Sequence, residues 1–425
     1  MGVILIKYLL CVTIDALFER TRRVWIHDEP SVADLEAAVK AQRKISKAMT
    51  EQYLNSSDPT PAYIAQFNHA LLYKRLSAEE QDEEKRVGYK CTVVHYNRDL
   101  ELKLGLDKEK NVVDAAIKHL ALQILCSSAT AASTLGRTDR SMEDAAREQF
   151  ERAAAIDPHF VFPAFEPSLI QSPYVLVYDE DLEGWTPQGL LGAFLANCHL
   201  RHRDHDLVLL QEAIAFLSNA IKQYEDDERE ADEPWYIMHT TLGTLLRRRY
   251  QYYKNRRDLT RAIEHLQVAL SNDDSDDELK MLIHDCICRR CIVSSKYRNE
   301  DAEKIKAVYS ELVESGRTDA MTWVAKARAL EAAFEAQDLA GTTKLGVLAE
   351  AVDCQANAVL NYDQWRVRTA LEDEFYYENV HYLAQLCALM FEKSDDEDYY
   401  TYACKAYERV LDPVNTPKSS SNHSL

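Results

Sequence analysis

Apolar residues recur at steps of three and four along most of the chain, in blocks separated by short polar turns. Over residues 143–158, Ala146, Phe150 and Ala153 stand at offsets 0, +4 and +7, with Pro158 at +12. On a helix the first three share one face. Small alanines let a neighbouring helix approach closely, the Phe fills the groove between helices, and the Pro ends the helix so that the chain can reverse. One such helix cannot bury that face alone, so the pattern predicts partners of the same kind.

The partners are visible as internal similarity. Ala213, Leu217 and Ala220 align with Ala262, Leu266 and Ala269 at a constant offset of 49; a further 42 places Ile263, Leu266 and Leu270 on Ile305, Val308 and Leu312. Another 47 carries Ile305 to Val352, within Ala349–Leu360. Blocks at 188–203, 235–254, 277–296 and 319–336 precede these segments and read as the first helices of successive pairs. Asp206, Asp258 and Asp301 stand near the second-helix starts, where a carboxylate accepts backbone N–H bonds and favours the positive dipole end. Upstream, 111–128 with 139–157 and 62–76 with 79–104 read as further pairs, the last with an irregularity at Gly88. Downstream, 371–392 and 397–411 form a tyrosine-rich terminal pair whose expected role is capping.

Three segments interrupt the pattern. Residues 55–61 read as a turn-forming linker, and 412–425 as a Ser-rich tail too polar to offset the entropy of ordering. Residues 159–189 hold four prolines together with Phe160, Phe162, Phe165, Tyr174, Tyr178 and Trp185. Prolines deny this stretch a continuous helix while its aromatics need burial, so it is expected as an insertion or seam packed onto the array, with a ligand-contacting lid as the alternative. The organisation expected is therefore a helical cap over 1–54, helix pairs over 62–158, the 159–189 insertion or seam, a second array over 190–411, and a disordered tail.

Composition agrees with long helices, since 425 residues carry only 11 Gly and 11 Pro. The formal net charge of −20 argues against a general duplex binder, because phosphate contacts need a basic surface; no nucleic-acid partner is expected. Ten cysteines lie scattered without short paired loops, which reads as reduced thiols and a cytoplasmic or nuclear setting. The apolar start, Val3 to Phe18, is interrupted by Lys7 and Asp15 and is too short to span a bilayer, so stable membrane insertion is not expected and an end helix is.

Leu242-Gly-Thr-Leu-Leu-Arg-Arg-Arg-Tyr250, followed by Asp258-Leu-Thr-Arg-Ala-Ile-Glu-His-Leu-Gln-Val-Ala-Leu270, resembles the extended tetratricopeptide (TPR) repeats common in fungal proteins, whose pattern is like L-G-x-x-L-x-x-R-Y, a polar turn, then D-L-x-x-A-I. The likeness is good over 242–270 and 143–158, fair over 190–221, and weaker over 281–312. It implies an all-α fold, a TPR-like α-solenoid of stacked antiparallel helix pairs. Some relatives attach a caspase-like peptidase or a nucleotide-binding domain; this chain has no G-x-x-x-x-G-K-[ST] loop and no Cys in a peptidase context. An isolated array of this class implies an adaptor, and free-standing fungal arrays near biosynthetic genes keep a metabolic accessory role in view.

In such arrays the first helices line the concave groove, and Arg247 and Arg248 map onto Arg289 and Arg290 at the 42-residue offset. A basic ladder inside an acidic protein would focus its field on an anionic segment, and Arg can grip a carboxylate through two donors. These four are the candidate partner-binding residues, against the plainer reading that they pair with the chain's own acids. His284, Cys288 and Cys291 share a helix face, but a second ligand pair is missing and packed free thiols are the expectation. No metal, cofactor or catalytic residue is expected; His199, His202 and His205 have no nucleophile placed with them. The expectation is thus a scaffold that binds a protein or peptide partner, with an acidic or carboxylate-bearing segment, in its groove. The alternative is an accessory or catalytic factor of fungal secondary metabolism, with Phe162, Phe165, Tyr174 and Trp185 as a lid over a pocket.

Overall fold

The computed structural model describes residues 14, 16–26, 30–53, 56, 58–106, 115–136, 140–164, 176–177, 179–201, 206–294, 296–314, 316, 318–335, 344–363 and 370–411. Phe165, Tyr174, His202, His205, the 412–425 tail and most of the apolar start lie outside these residues. After a helical stretch over 16–25, the helices are α1 (Val32–Tyr53), α2 (Thr60–Glu79), α3 (Glu83–Leu104), α4 (Ala115–Leu135), α5 (Arg140–Ile156), α6 (Pro187–Arg201) and α7 (Leu207–Asp226). They continue as α8 (Glu233–Tyr253), α9 (Arg256–Leu270), α10 (Asp277–Val293), α11 (Arg298–Glu314), α12 (Ala320–Glu335), α13 (Lys344–Asp363), α14 (Ala370–Ser394) and α15 (Glu397–Leu411). No strand occurs among the described residues.

The chain divides into two units, Met1–Leu195 with Gln211–Trp235, and Ala196–Leu210 with Tyr236–Leu425. Within the first, α1 through α5 pack each on the next, and α2 also touches α4. Within the second, α9 through α15 do the same, and α10 also packs on α12. Neighbours in sequence thus form hairpins, and first helices of consecutive hairpins meet, which is the all-α repeat architecture that the periodicity predicts. The first unit buries Leu35, Ile45, Met49, Phe67, Leu72, Leu100 and Ile124 in one cluster, which the 159–189 segment joins through Val177.

The repeated alanines and leucines do what their spacing requires. Ala146, Ala153, Ala213, Leu217, Ala220, Ala262, Leu266 and Ala269 are all buried. Each glycine of the L-G-x-x-L pattern lies under a second-helix leucine: a Cβ on Gly192 would stand 2.8 Å from Leu217 Cγ, and one on Gly243 2.6 Å from Leu266 Cγ. Those separations are below van der Waals contact, so glycine sets how closely the two helices approach.

Charge closes the same hairpins. At the end of α8, Arg249 donates from Nε to Asp258 Oδ2 at 2.9 Å and from Nη2 to Oδ1 at 2.6 Å. Arg290 on α10 repeats the fork on Asp301 of α11, at 2.9 and 2.7 Å, with Asp301 fully buried. Of the three aspartates expected at helix starts, Asp206 accepts from the Val208 and Leu209 N–H groups. Asp258 and Asp301 lie inside their first turns, where the carboxylate turns to the arginine, and Asn255 accepts the Arg257 N–H in place of Asp258.

Gly88 differs from expectation, because α3 runs through it without a break and a Cβ there would meet nothing within 4 Å. The two kinds of glycine respond oppositely to Ala. Gly243→Ala overpacks the α8–α9 contact and lowers unfolding stability by about 1–3 kcal/mol, whereas Gly88→Ala removes only backbone freedom and raises it by about 0.5–1 kcal/mol. Urea denaturation followed by circular dichroism reads both shifts.

Candidate functional site

Helices α8, α10, α12 and α14 bring charged side chains together in the second unit. Arg247 on α8 donates from Nε to Asp285 Oδ2 on α10 at 2.6 Å, and Arg289, one turn beyond Asp285, donates from Nε to both carboxylate oxygens at 3.0 and 2.8 Å. Glu378 on α14 completes the group through a single oxygen. Its Oε1 accepts from Gln251 Nε2 at 2.7 Å, Arg289 Nη2 at 3.0 Å and Arg247 Nη2 at 3.4 Å. Three donors from two helices therefore converge on one carboxylate oxygen supplied by a third.

Arg328 on α12 extends the row. Its Nε lies 3.4 Å from Asp285 Oδ1 and its Nη1 3.4 Å from Glu331 Oε2, while its guanidinium stacks 3.2 Å above the Tyr382 ring. Tyr382, fully buried on α14, donates to the same Glu331 oxygen at 2.7 Å. Sequence comparison at a 42-residue step missed Arg328, which follows Arg289 by 39 residues, and it missed Glu378 altogether. The shorter step has a local cause: α10 and α12 start at Asp277 and Ala320, and Arg328 stands one turn nearer its helix start than Arg289 does.

The four arginines singled out by sequence do not share one place. Arg247 and Arg289 meet at Asp285 and Glu378, Arg290 is buried in the clamp on Asp301, and Arg248 is half-buried on α8. The acids that engage Arg247, Arg289 and Arg290 are Asp285, Asp301 and Glu378. The row that the structure does bring together is Arg247, Arg289 and Arg328, which share Asp285.

The ionisable groups respond to the local field. Burial alone would raise the Asp285 carboxyl, but Arg247, Arg289 and Arg328 overcome it and hold it well below the usual carboxylate range. Lys254, just beyond α8, is pushed below its ordinary value by burial and then by Arg289 and Arg328. His381 on α14 is lowered by burial and by Lys254, although Glu378 opposes. Inside a chain of net charge −20, Arg289 and Arg328 thus make the field at Lys254 positive. A cavity of about 30 Å³ opens beside Arg247, Arg289, Arg328 and Glu378, walled by Met281, Met321 and Val324.

The segment expected as a packed insertion or lid belongs to the first unit. Phe162 is buried, its N–H bonds the Trp185 carbonyl at 3.0 Å, and its own carbonyl accepts from Gly184 N–H at 3.0 Å. Phe160 packs between the rings of Phe162 and His119. Phe162 is thus a packing residue of the insertion, and Trp185 is half-buried beside it. The cavity next to this segment measures about 60 Å³, against the several hundred that small-molecule sites usually offer.

The other candidates are packed inside their helices. His284 lies 3.3 Å from the Ala325 carbonyl and 3.5 Å from Cys288 Sγ, with Cys286, Cys288 and Cys291 all buried. Burial pushes the Cys286 thiol up to about 12 and the Cys288 thiol well above its ordinary value. His199 Nδ1 sits 3.0 Å from the Asp206 carbonyl. Tyr376 and Tyr382 turn inward in the terminal pair while Tyr400 and Tyr402 stay exposed.

No family model matches the chain, and no curated protein matches it. Among solved structures, it is similar to residues 1–338 of Acl4, the assembly chaperone of RpL4, at 12% identity and a TM-score of 0.25, covering 77% of this chain and 92% of that one. It is also similar to a monomeric mutant of IFIT1 with Gppp-AAAA, at 13% identity and a TM-score of 0.25, covering 95% of both chains. At these values no residue role passes from either protein to this one. Among the described residues no helix is long and apolar enough to cross a membrane.

A pH response follows from a histidine pair between α8 and α9. His239 on α8 and His265 on α9 stand with their Nδ1 atoms 3.1 Å apart, and both are lowered to about 4, chiefly by burial. Unfolded, each takes up a proton near pH 6.5 that the folded pair refuses, so stability falls as pH drops from about 6.5 to about 4. Chemical denaturation of the full chain across that window should show this slope. His239→Gln with His265→Gln flattens it; an unchanged slope would mean the pair is not buried as described.

Proposed function

We propose that the chain is a protein-interaction scaffold whose first-helix face in the second unit receives an acidic segment of a protein or peptide partner, with Arg247 and Arg289 as gripping residues. The observation that supports this reading is the convergence of Arg247, Gln251 and Arg289 on one oxygen of Glu378. The face is already shaped to hold a carboxylate oxygen, and the carboxylate it holds retains 30% of its side-chain exposure. A partner carboxylate meets the same donors when it takes the place of Glu378, and the arginines that lower Lys254 attract it there.

Arg328 extends the contact along the face by keeping its guanidinium flat on Tyr382. Arg290, by contrast, serves the hairpin, so changing it tests the fold and not the contact. The small cavities beside both faces suit side-chain packing better than enclosure of a metabolite.

Affinity capture from the native host tests this reading when the wild-type chain is run beside two variants. Arg247→Glu with Arg289→Glu should reduce retention of the partner at least about tenfold, as the loss of two charge-assisted contacts implies. Glu378→Gln should increase it, because an internal competitor has lost its charge. A partner held equally by all three chains would contradict the assignment.

A further inference from the structure

In the first unit, Val177 and Asp179 of the 159–189 segment meet helices α2 and α4; Asp179 has extended backbone, φ −76° and ψ 114°, and caps a single 3-10 turn over Glu180–Leu182. The face holds them by their backbone. Asn68 Oδ1 on α2 accepts from the Val177 N–H at 3.1 Å, and Gln123 Oε1 on α4 accepts from the Asp179 N–H at 3.2 Å. Alternate N–H groups of an extended chain point the same way, so two carboxamides on neighbouring first helices read main chain at positions i and i+2. Such contacts are indifferent to side-chain identity.

Specificity comes from Lys74. Its Nζ donates to both oxygens of Asp179 at 2.7 Å and lies 2.6 Å from Asp181 Oδ2. Val177 adds an apolar anchor in the cluster containing Leu71 and Phe67. Two features show that this chain's own residues do not exhaust the face. Gln123 is fully buried, yet its Nε2 has no hydrogen-bond partner among the described residues, which leaves a donor for one more peptide carbonyl. The 60 Å³ cavity beside Lys74, Leu71 and Trp25 leaves room for a bulkier side chain than this segment supplies there.

We propose that this face is a second docking groove, filled in the isolated chain by its own Val177, Asp179 and Asp181, and open to an extended segment of another protein with the same pattern, an apolar residue followed at two and four positions by acids. It is separate from the arginine face of the second unit. The internal segment is tethered and competes at high effective concentration, so an external peptide binds the wild type weakly and gains affinity when the tethered residues are weakened.

The probe is a fluorescein-labelled peptide of the sequence Leu-Val-Tyr-Asp-Glu-Asp-Leu, titrated into the full chain by fluorescence anisotropy. Val177→Gly with Asp179→Asn and Asp181→Asn should bind it at least about tenfold more tightly than wild type, and adding Lys74→Glu should abolish the gain. Arg247→Glu with Arg289→Glu should leave binding unchanged, which separates this groove from the site in the second unit. Failure of the opened variant to bind while its helical circular dichroism is intact overturns the proposal, as does binding that ignores Lys74 or depends on Arg247. Should the opened variant not fold, hydrogen exchange in the wild type decides: excess peptide should speed exchange at the Val177 and Asp179 amides, and unchanged exchange overturns the proposal.

Discussion

A cation placed against the helices of this chain must find a carboxylate, and that demand organises both units. Burying a guanidinium or ammonium without a partner costs several kcal/mol, roughly the whole margin of stability of an ordinary domain. Arg249 and Arg290 meet it with Asp258 and Asp301, and in doing so tie each first helix to the second helix of its own hairpin. Arg247 and Arg289 meet it with Asp285 and Glu378, which link different hairpins. Lys74 meets it with Asp179 and Asp181 from a segment that is not helical repeat at all. One requirement thus yields hairpin closure, a carboxylate-holding face, and an occupied groove.

The apolar seam sets where these cations can stand. Gly192 and Gly243 let Leu217 and Leu266 sit directly on the first helix, and the alanines around them keep the helices close. At the last turns of α8 and α10, Arg249 and Arg290 pair with the carboxylates of the facing second helices. Asp285 shows the balance of forces most plainly, since three arginines outweigh the burial that would otherwise protonate it. Tyr382 and Glu331 then hold Arg328 flat against the same group.

Much of the fold was legible because it follows from period. Ala213, Leu217 and Ala220 and their counterparts at 262, 266 and 269 mark buried faces whose geometry repeats, and the second helix expected from Asp258 begins two residues earlier, at Arg256. Gly88 misled because an exposed helix position tolerates glycine without any change of path. The sites were legible only in part. Arg247 and Arg289 showed themselves by equal spacing, but their carboxylate Glu378 stands 131 residues from Arg247 and carries no repeat signature. Val177 and Asp179 were hidden for the same reason: an extended segment has no helical period, and Asn68, Lys74 and Gln123 lie far from it in the chain.

The most direct test of this account is a double-mutant cycle between Arg289 and Glu378, measured as unfolding free energy of the full chain with Arg289→Met, Glu378→Gln and both together. Two half-buried charges sharing a hydrogen bond 3.0 Å long should show a coupling of about 1–3 kcal/mol. Additive single effects, with coupling near zero, would mean that α10 does not grip a carboxylate from α14, and the first-helix face would not be the carboxylate-holding surface described.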